Sequence, residues 1–326
     1  MELQFTKEYK GILISCIIGI IGFLASPYLP SAFNSILLAL LLGIIIGNLI
    51  KIPQDFQSGI SFTSSKLLEF SILFLAFSIN YSHIAEIGAK SFTIIALVVA
   101  VMLVLSYYLA LKVKCPGATG WLVGFGTTIC GSSAIAALAP SVSKNKEDVG
   151  IAIAVVNLFG SVGMILMPLA MVKFNLSATQ MGLFLGGTLH SIGNVAGSGY
   201  SINNEVGEAA ITIKLARVAL LSPALIFFNF LVNRNSVEHW KEYFKLPWYL
   251  WSFIGITLLS SLIHFPPAFL YFMEIVGKII LTIAMAAIGL KVSFKTLYHS
   301  GQKGVIFGLL IFALQIILVG ALMLAI

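Results

Sequence analysis

Two cationic residues lie in an apolar stretch of this chain, at a spacing that suits the binding of a small anion. Lys214 and Arg217 are three residues apart, which places both side chains on one face of a helix. Charged residues inside a membrane helix are costly, face the interior of the bundle and are candidates for function. The pair therefore predicts an anion site. An ion pair with Glu205 or Glu208, or snorkelling of the side chains toward the membrane surface, is the structural alternative.

Two apolar segments, at about residues 119–141 and 178–200, carry glycine and hydroxyl residues at their centres. Both are predicted to be discontinuous helices, and paired discontinuous helices are typical of the substrate site of a secondary transporter. A helix N-terminus inside such a break carries partial positive charge and binds anions. The alternative is close packing of helices through small residues. The candidate binding residues in and near the segments are Thr128, Gly131, Ser132, Ser133, Asn157, His190 and Asn194.

Two further side chains in these segments could do chemistry. His190 could couple transport to protons because imidazole titrates near neutral pH, or it could be a buried structural residue. Cys130 has no cation or histidine beside it in sequence, so packing is its expected role. The sequence contains no paired carboxylates, metal-ligand cluster or activated serine. An enzyme is therefore not expected, and neither is a cofactor or a bound metal.

The composition requires a lipid environment for these segments. The chain of 326 residues is 59% hydrophobic and only 10% charged, whereas soluble domains have about 25% charged residues. It is predicted to form a single integral membrane transporter domain over residues 1–326, all-α and polytopic. Residues 51–66 and 233–247 are the longest polar connections. Eleven transmembrane helices are predicted, at about 10–29, 31–50, 67–85, 91–111, 119–141, 149–172, 178–200, 207–232, 248–264, 268–290 and 303–325.

The distribution of basic residues predicts the orientation. With a cytoplasmic N-terminus, thirteen of the 19 Lys and Arg residues lie inside and three lie outside, so the positive-inside rule places the C-terminus outside. This distribution accounts for most of the net charge of +7, and nucleic acid is not expected as a partner.

Two weak internal similarities predict an inverted-repeat architecture. Residues 76–82 resemble residues 287–293, at the ends of the predicted third and tenth spans, which cross in opposite directions. Gly126-Thr127 and Gly187-Thr188 each precede a similar helix. Whether either broken segment is re-entrant stays open.

The order of these motifs resembles the YeiH-type sulfate exporter family of bacterial inner-membrane proteins, for which a role in anion export is proposed. The resemblance rests on Thr128–Ala137, the loop Lys144–Asp148, Leu189-His190 and the run from Lys214 to Arg217, and it covers most of the chain. It implies a multi-pass protein of the bacterial inner membrane, with about ten or eleven spans and an inverted-repeat transporter fold. This chain has Ser191 where an acidic residue follows the family's histidine.

These observations favour a secondary transporter of a small anion, sulfate or a sulfonate-like oxyanion, that works by alternating access. A symporter of organic anions coupled to Na⁺ or H⁺ and an anion channel are the alternative functions left open. Whether the protein assembles as a homodimer also stays open. No ATP-binding loop is present in the sequence, so transport is expected to be driven by a gradient. Replacing Arg217 by Gln is expected to weaken anion binding without unfolding the protein.

Overall fold

The structure is a computed structural model, and the described part of the chain is entirely helical in its regular elements. It describes residues 2–29, 35–77, 81–115, 118–143, 145–171, 173–174, 176–232, 248–263, 265–292 and 302–323. The helices are α1 (Glu2–Ala25), α2 (Ser35–Leu49), α3 (Gln54–Phe62), α4 (Leu68–Ala76), α5 (Tyr81–Val113), α6 (Thr119–Thr128), α7 (Ser132–Val142), α8 (Lys146–Met171), α9 (Ala178–Thr188), α10 (Ile192–Ile202), α11 (Asn204–Ala219), α12 (Leu221–Val232), α13 (Trp248–Leu262), α14 (Pro267–Lys291) and α15 (Gln302–Met323).

Several of these helices are long and apolar enough to cross a membrane. By length and composition, six spans qualify within the described residues, and a seventh is added if the bent pair α11 and α12 counts as one span. The six are Glu8–Tyr28, Gln54–Ala76, Ser91–Val113, Asp148–Met171, Pro267–Lys291 and Lys303–Met323. The chain is therefore a helical membrane protein. The count of eleven spans and the inverted repeat stay predictions.

The structure corrects the predicted third span. The sequence predicted a helix at 67–85 after a polar connection at 51–66, but the helical stretch runs over Gln54–Ala76 and passes through a π-helical turn at Thr63–Leu67. The early part forms because α3 packs closely on α1, where Gly59 meets Gly11. Tertiary packing thus overrides a polar composition. The predicted span extends over residues 78–80, which lie outside the described residues.

The described residues pack as two compact units, and the first contains residues 1–84, 196–208 and 248–294. Its core contains Ile18, Ala39, Ile60, Ala286 and Leu290. Helices α2 and α14 approach closely at Gly47, where an added Cβ would lie 2.7 Å from the Leu290 carbonyl oxygen. Small residues permit such close contact between membrane helices, which is the packing role that the sequence also allowed for its glycines.

The second unit is formed by the described residues within 85–195, 209–247 and 295–326, and every predicted site residue lies in it. It includes α6, α7, α8, α9, most of α11 and α15. The Asp148 carboxylate accepts hydrogen bonds from the Ala118 backbone N–H at 3.2 Å and from Thr119 Oγ1 at 3.1 Å. These contacts fix the start of α6 against α8. The first broken segment is therefore held in place at the end opposite its break.

Candidate functional site

The first broken segment is interrupted between α6 and α7. Helix α6 ends at Thr128, whose hydroxyl donates to the Gly124 carbonyl at 2.8 Å. The chain then turns through Gly131, which has φ +76° and ψ −134° and precedes the first residue of α7. A residue with a Cβ atom is strained in this backbone conformation, whereas glycine adopts it without strain. The sequence predicted the break, and Gly131 is the residue that makes it.

The second broken segment has a similar interruption between α9 and α10. Helix α9 ends at Thr188, whose hydroxyl donates to the Phe184 carbonyl at 2.6 Å. Leu189 is extended, with φ −66° and ψ 152°. The Ser191 hydroxyl then accepts from the Asn194 N–H at 3.1 Å and caps the start of α10. Both predicted discontinuous helices are therefore present, and each first half ends in a threonine that bonds back to its own helix.

Lys214 joins the two breaks. Its ammonium group donates to the Ile129 carbonyl at 2.8 Å and to the Leu189 carbonyl at 2.8 Å. These acceptors stand at equivalent positions, each directly after the threonine that ends a half-helix. The lysine is 0% exposed. A single buried cation thus holds together two segments that are far apart in sequence.

Arg217 binds the same two breaks from the next turn of α11. Its Nε donates to the Thr128 carbonyl at 2.6 Å, and Nη2 donates to the Thr127 carbonyl. Nη1 donates to three carbonyls of the second segment, those of Gly186 at 3.1 Å, Gly187 at 2.9 Å and Leu189 at 3.1 Å. The guanidinium is 0% exposed. The Arg217 side chain therefore contacts the backbone carbonyls of both segments.

The charges of Lys214 and Arg217 complement the helix ends that they bind. The C-terminal end of a helix carries partial negative charge, and its last carbonyls lack partners within the helix. Both cations supply those partners at the ends of α6 and α9. Within the described residues, the hydrogen bonds of Lys214 and Arg217 go to these carbonyls. The predicted pair on one helix face is thus present, and its partners are backbone carbonyls, which residue types alone do not reveal.

The N-terminus of α7 lies directly beyond the first break. Its N-cap residue is Gly131, which provides no side-chain cap for the first turn. Ser132 is half-buried and Ser133 is exposed. The Ser133 hydroxyl lies 3.0 Å from Cys130 Sγ and donates to the Cys130 carbonyl at 3.2 Å. The first backbone N–H groups of this turn and the Ser132 hydroxyl are the donors that could meet a ligand.

His190 lies at the second break and faces the first. It is 1% exposed, and neither ring nitrogen has a hydrogen-bond partner in the described part of the chain. Its ring lies 4.8 Å from the ring of Phe312, centroid to centroid. A Cβ added at Gly131 would lie 3.6 Å from the His190 Cβ. The structure thus brings Gly131 and His190 together and leaves a buried imidazole with unused hydrogen-bonding groups.

The two predicted amides occupy different environments. Asn194 is buried in the first turn of α10, and its amide nitrogen packs against Gly160 of α8. Asn157 is also on α8, but it is exposed. The structure therefore brings Asn194 close to the breaks, whereas Asn157 makes none of the contacts that join them.

Gln315 is a residue of this site that the sequence analysis missed. It is fully buried in α15, and its amide nitrogen donates to the Gly187 carbonyl at 2.7 Å. The same carbonyl accepts from Arg217. The available signal was that Gln315 is the one polar side chain between Lys303 and the end of α15. A lone amide in an apolar helix needs a partner, since an unpaired polar group in the membrane is costly.

Comparisons with known proteins give the family. A sequence model of the family described as conserved hypothetical protein 698 matches residues 10–308. The UPF0324 inner membrane protein YeiH of Salmonella typhimurium is 30% identical over 298 residues, covering 89% of this chain and 85% of the relative. The UPF0324 membrane protein YdhF of Lactococcus lactis is 30% identical over 318 residues, covering 94% and 96%.

A UPF0324 membrane protein of Bacillus cereus is 29% identical over 317 residues, covering 95% of this chain and 90% of the relative. No solved structure matches. The predicted resemblance to YeiH-type proteins is thereby confirmed at the level of the family. The chain belongs to the conserved hypothetical protein 698 family, that of the UPF0324 membrane proteins.

Proposed function

We propose that this protein is a secondary transporter of a small anion, sulfate or a sulfonate-like oxyanion. One observation carries the proposal: within the described residues, two fully buried cations at a pair of helix breaks donate their hydrogen bonds to neutral carbonyls alone. Carbonyl dipoles stabilise a positive charge but carry no net negative charge, so the positive charges of Lys214 and Arg217 are not neutralised. In a low-dielectric interior that charge favours an anion nearby.

The ammonium and guanidinium groups are proposed to act on the anion through their charge. Their N–H donors already hold the carbonyls of Thr127, Thr128 and Ile129 in one segment and of Gly186, Gly187 and Leu189 in the other. Direct contact with a substrate would require some of these bonds to break. This differs from the sequence-based hypothesis, in which Lys214 and Arg217 grip the oxyanion themselves.

The groups proposed to touch the anion lie at the N-terminus of α7. There the backbone N–H groups after Gly131 point out of the half-helix, and the N-terminal dipole favours negative charge. The Ser132 hydroxyl adds a donor, and His190 adds an imidazole whose nitrogens are unpartnered in the described chain. Ser133 would contribute its backbone N–H, because its hydroxyl already donates to the Cys130 carbonyl. Donors that are neutral and fixed in place suit an oxyanion that must also be released.

The remaining predicted residues take supporting roles in the proposal. Thr128 ends α6 and presents its carbonyl to Arg217, and its hydroxyl donates to the Gly124 carbonyl. Asn194 packs where α8 meets α10, and Asn157 offers an exposed amide on α8. Alternating access, a cytoplasmic N-terminus, an external C-terminus and an inner-membrane location complete the proposal.

Flux measurements test the proposed function. The purified protein is reconstituted into liposomes, and uptake of a panel of radiolabelled anions is measured, with sulfate, a sulfonate and a carboxylate as the first three. The Ser132→Ala variant is expected to reduce uptake of the preferred anion about ten- to a hundredfold, as loss of one hydrogen bond to a charged group costs about 1.5–3 kcal/mol.

The control for this test is Ser141→Ala at the other end of α7, where the hydroxyl donates to the Leu138 carbonyl. It removes the same atom from the same helix and should leave uptake near the unmodified level. Equal losses in the two variants, or an absence of flux for every anion in the panel, would count against the proposed site and function.

A further inference from the structure

Unwound backbone at helix breaks usually offers carbonyls to a coupling cation. In transporters with discontinuous helices, such carbonyls and the C-terminal ends of half-helices coordinate Na⁺. A sodium-coupled symporter was accordingly one alternative from the sequence. Whether a free cation or a side chain binds the carbonyls at the breaks therefore determines whether transport can be coupled to Na⁺ there.

In this protein several carbonyls at both breaks are already occupied by cationic side chains. Lys214 Nζ lies 2.8 Å from both the Ile129 and Leu189 oxygens, one on each segment. The guanidinium of Arg217 takes further carbonyls at the ends of both α6 and α9. Both side chains are wholly buried. A mobile cation would have to displace bonded groups and would meet like charge at close range.

We infer that Lys214 and Arg217 are built-in replacements for coupling cations, so that the proposed anion transport requires no Na⁺. This inference rests on the proposed function for its transport consequence, but its binding consequence can be measured without transport. Lys214 acts as a covalently tethered ammonium ion. Removing the tether while keeping the space should turn its position into a site for a free monovalent cation.

The binding experiment compares two substitutions at position 214. Lys214→Ala leaves room for an ammonium ion beside Ile129 and Leu189, whereas Lys214→Met fills the same room with an uncharged chain of similar length. Melting temperatures of the purified proteins are measured in ammonium, sodium and choline chloride at equal ionic strength. Ammonium chloride is the main probe because it carries the same donor group as the lysine side chain.

The expected result is a separation of the three proteins. Both variants melt below the unmodified protein in choline chloride. Only Lys214→Ala should regain melting temperature, by a few degrees for each tenfold rise in ammonium above its Kd, because a ligand of the folded state stabilises it by mass action. A similar response in Lys214→Met, or no response in Lys214→Ala, overturns the inference.

The unmodified protein provides a test that needs no substitution. Its melting temperature should be the same in sodium and choline chloride, since its break carbonyls already have cationic partners. A saturable rise in melting temperature with sodium would overturn the inference even if neither variant can be purified.

Flux measurements separate this inference from the proposed function. Uptake of the preferred anion should agree within about twofold in sodium and choline media, a difference of less than about 0.5 kcal/mol. Uptake that disappears without sodium would refute the built-in cations while supporting an anion transporter. If no anion is transported in any medium, the proposed function fails, and the melting temperatures still decide whether position 214 is a cation site.

Discussion

At the scale of single residues, Arg217 connects two helix breaks, a structural role that the sequence did not predict. Its guanidinium serves carbonyls at the ends of two half-helices. Buried acceptors that lose a partner cost about 1–3 kcal/mol each. We therefore expect Arg217→Gln to destabilise the protein by about 3 kcal/mol or more, because several of these carbonyls lose a donor at once.

This prediction replaces the sequence-based one, in which the same substitution weakened anion binding and left the fold intact. Arg217→Lys should recover only part of the loss, because lysine lacks the planar fork that reaches both segments. Thermal unfolding in detergent measures the effect, with Lys112→Gln at the exposed end of α5 as the control. A melting temperature like that of the unmodified protein would show that the carbonyl contacts contribute little.

His190 allows binding and stability to be separated. Because neither ring nitrogen is hydrogen-bonded within the described chain, His190→Leu removes no bond and nearly preserves side-chain volume. We expect the melting temperature to stay close to that of the unmodified protein, while affinity for the transported anion falls about tenfold. Isothermal titration measures the affinity. A large fall in melting temperature with unchanged affinity would assign His190 a structural role.

At the scale of elements, the two breaks depend on a few backbone conformations. Gly131 has φ +76°, and an added Cβ would meet its nearest atom at 3.5 Å, so conformational strain rather than a clash is the obstacle to a side chain. Gly131→Ala is expected to cost about 1–3 kcal/mol. It should also shift the first turn of α7 and lower anion uptake.

Gly150 in α8 supplies the matched control for this prediction. Nothing lies within 4 Å of a Cβ added there, and φ is not positive. Gly150→Ala should be neutral or stabilising by about 0.5–1 kcal/mol, as alanine is the better helix former. If both alanines have the same effect on melting temperature and uptake, the conformation of Gly131 is not what maintains the break.

The sequence predicted that both segments are broken, because glycines and hydroxyl residues interrupt otherwise apolar helices. It also predicted that Lys214 and Arg217 share a helix face. It could not identify their partners, since these are backbone carbonyls that every residue possesses and that come close only through tertiary packing. Gln315 was not predicted for the same reason: its acceptor is the Gly187 backbone carbonyl, which residue type cannot indicate. The helix over Gln54–Phe62 was not predicted because its polar residues are typical of a loop, whereas close packing against α1 stabilises it as a helix.

At the scale of the whole molecule, the distribution of basic residues predicts opposite sides for two loops. Cysteines introduced at Asn145 and Asn235 should react with a membrane-impermeant reagent from outside and inside, respectively. Residue 235 lies outside the described residues, so labelling is the direct test of this loop. If both cysteines react from the same side, the eleven-span topology is wrong.

The native cysteines must be considered in this experiment. Burial raises the pKa of the Cys115 thiol, with a smaller opposing effect from Lys303, so this residue should react slowly at neutral pH. Replacing Cys16, Cys115 and Cys130 by serine removes the background. Cys130 contacts the Ser133 hydroxyl, so retained anion uptake in the cysteine-free protein should be checked before labelling.

The bonds from α11 to the two breaks also bear on how the protein is made. Each of Lys214 and Arg217 adds about 2.5–3.5 kcal/mol to the cost of inserting an isolated helix through the translocon. The carbonyls that receive both cations belong to residues 127–129 and 186–189, which are synthesised before α11. Acceptors thus precede donors in the order of synthesis. Helix α11 can therefore enter the bilayer against partners that are already there, and biogenesis would be impaired if that order were reversed by circular permutation.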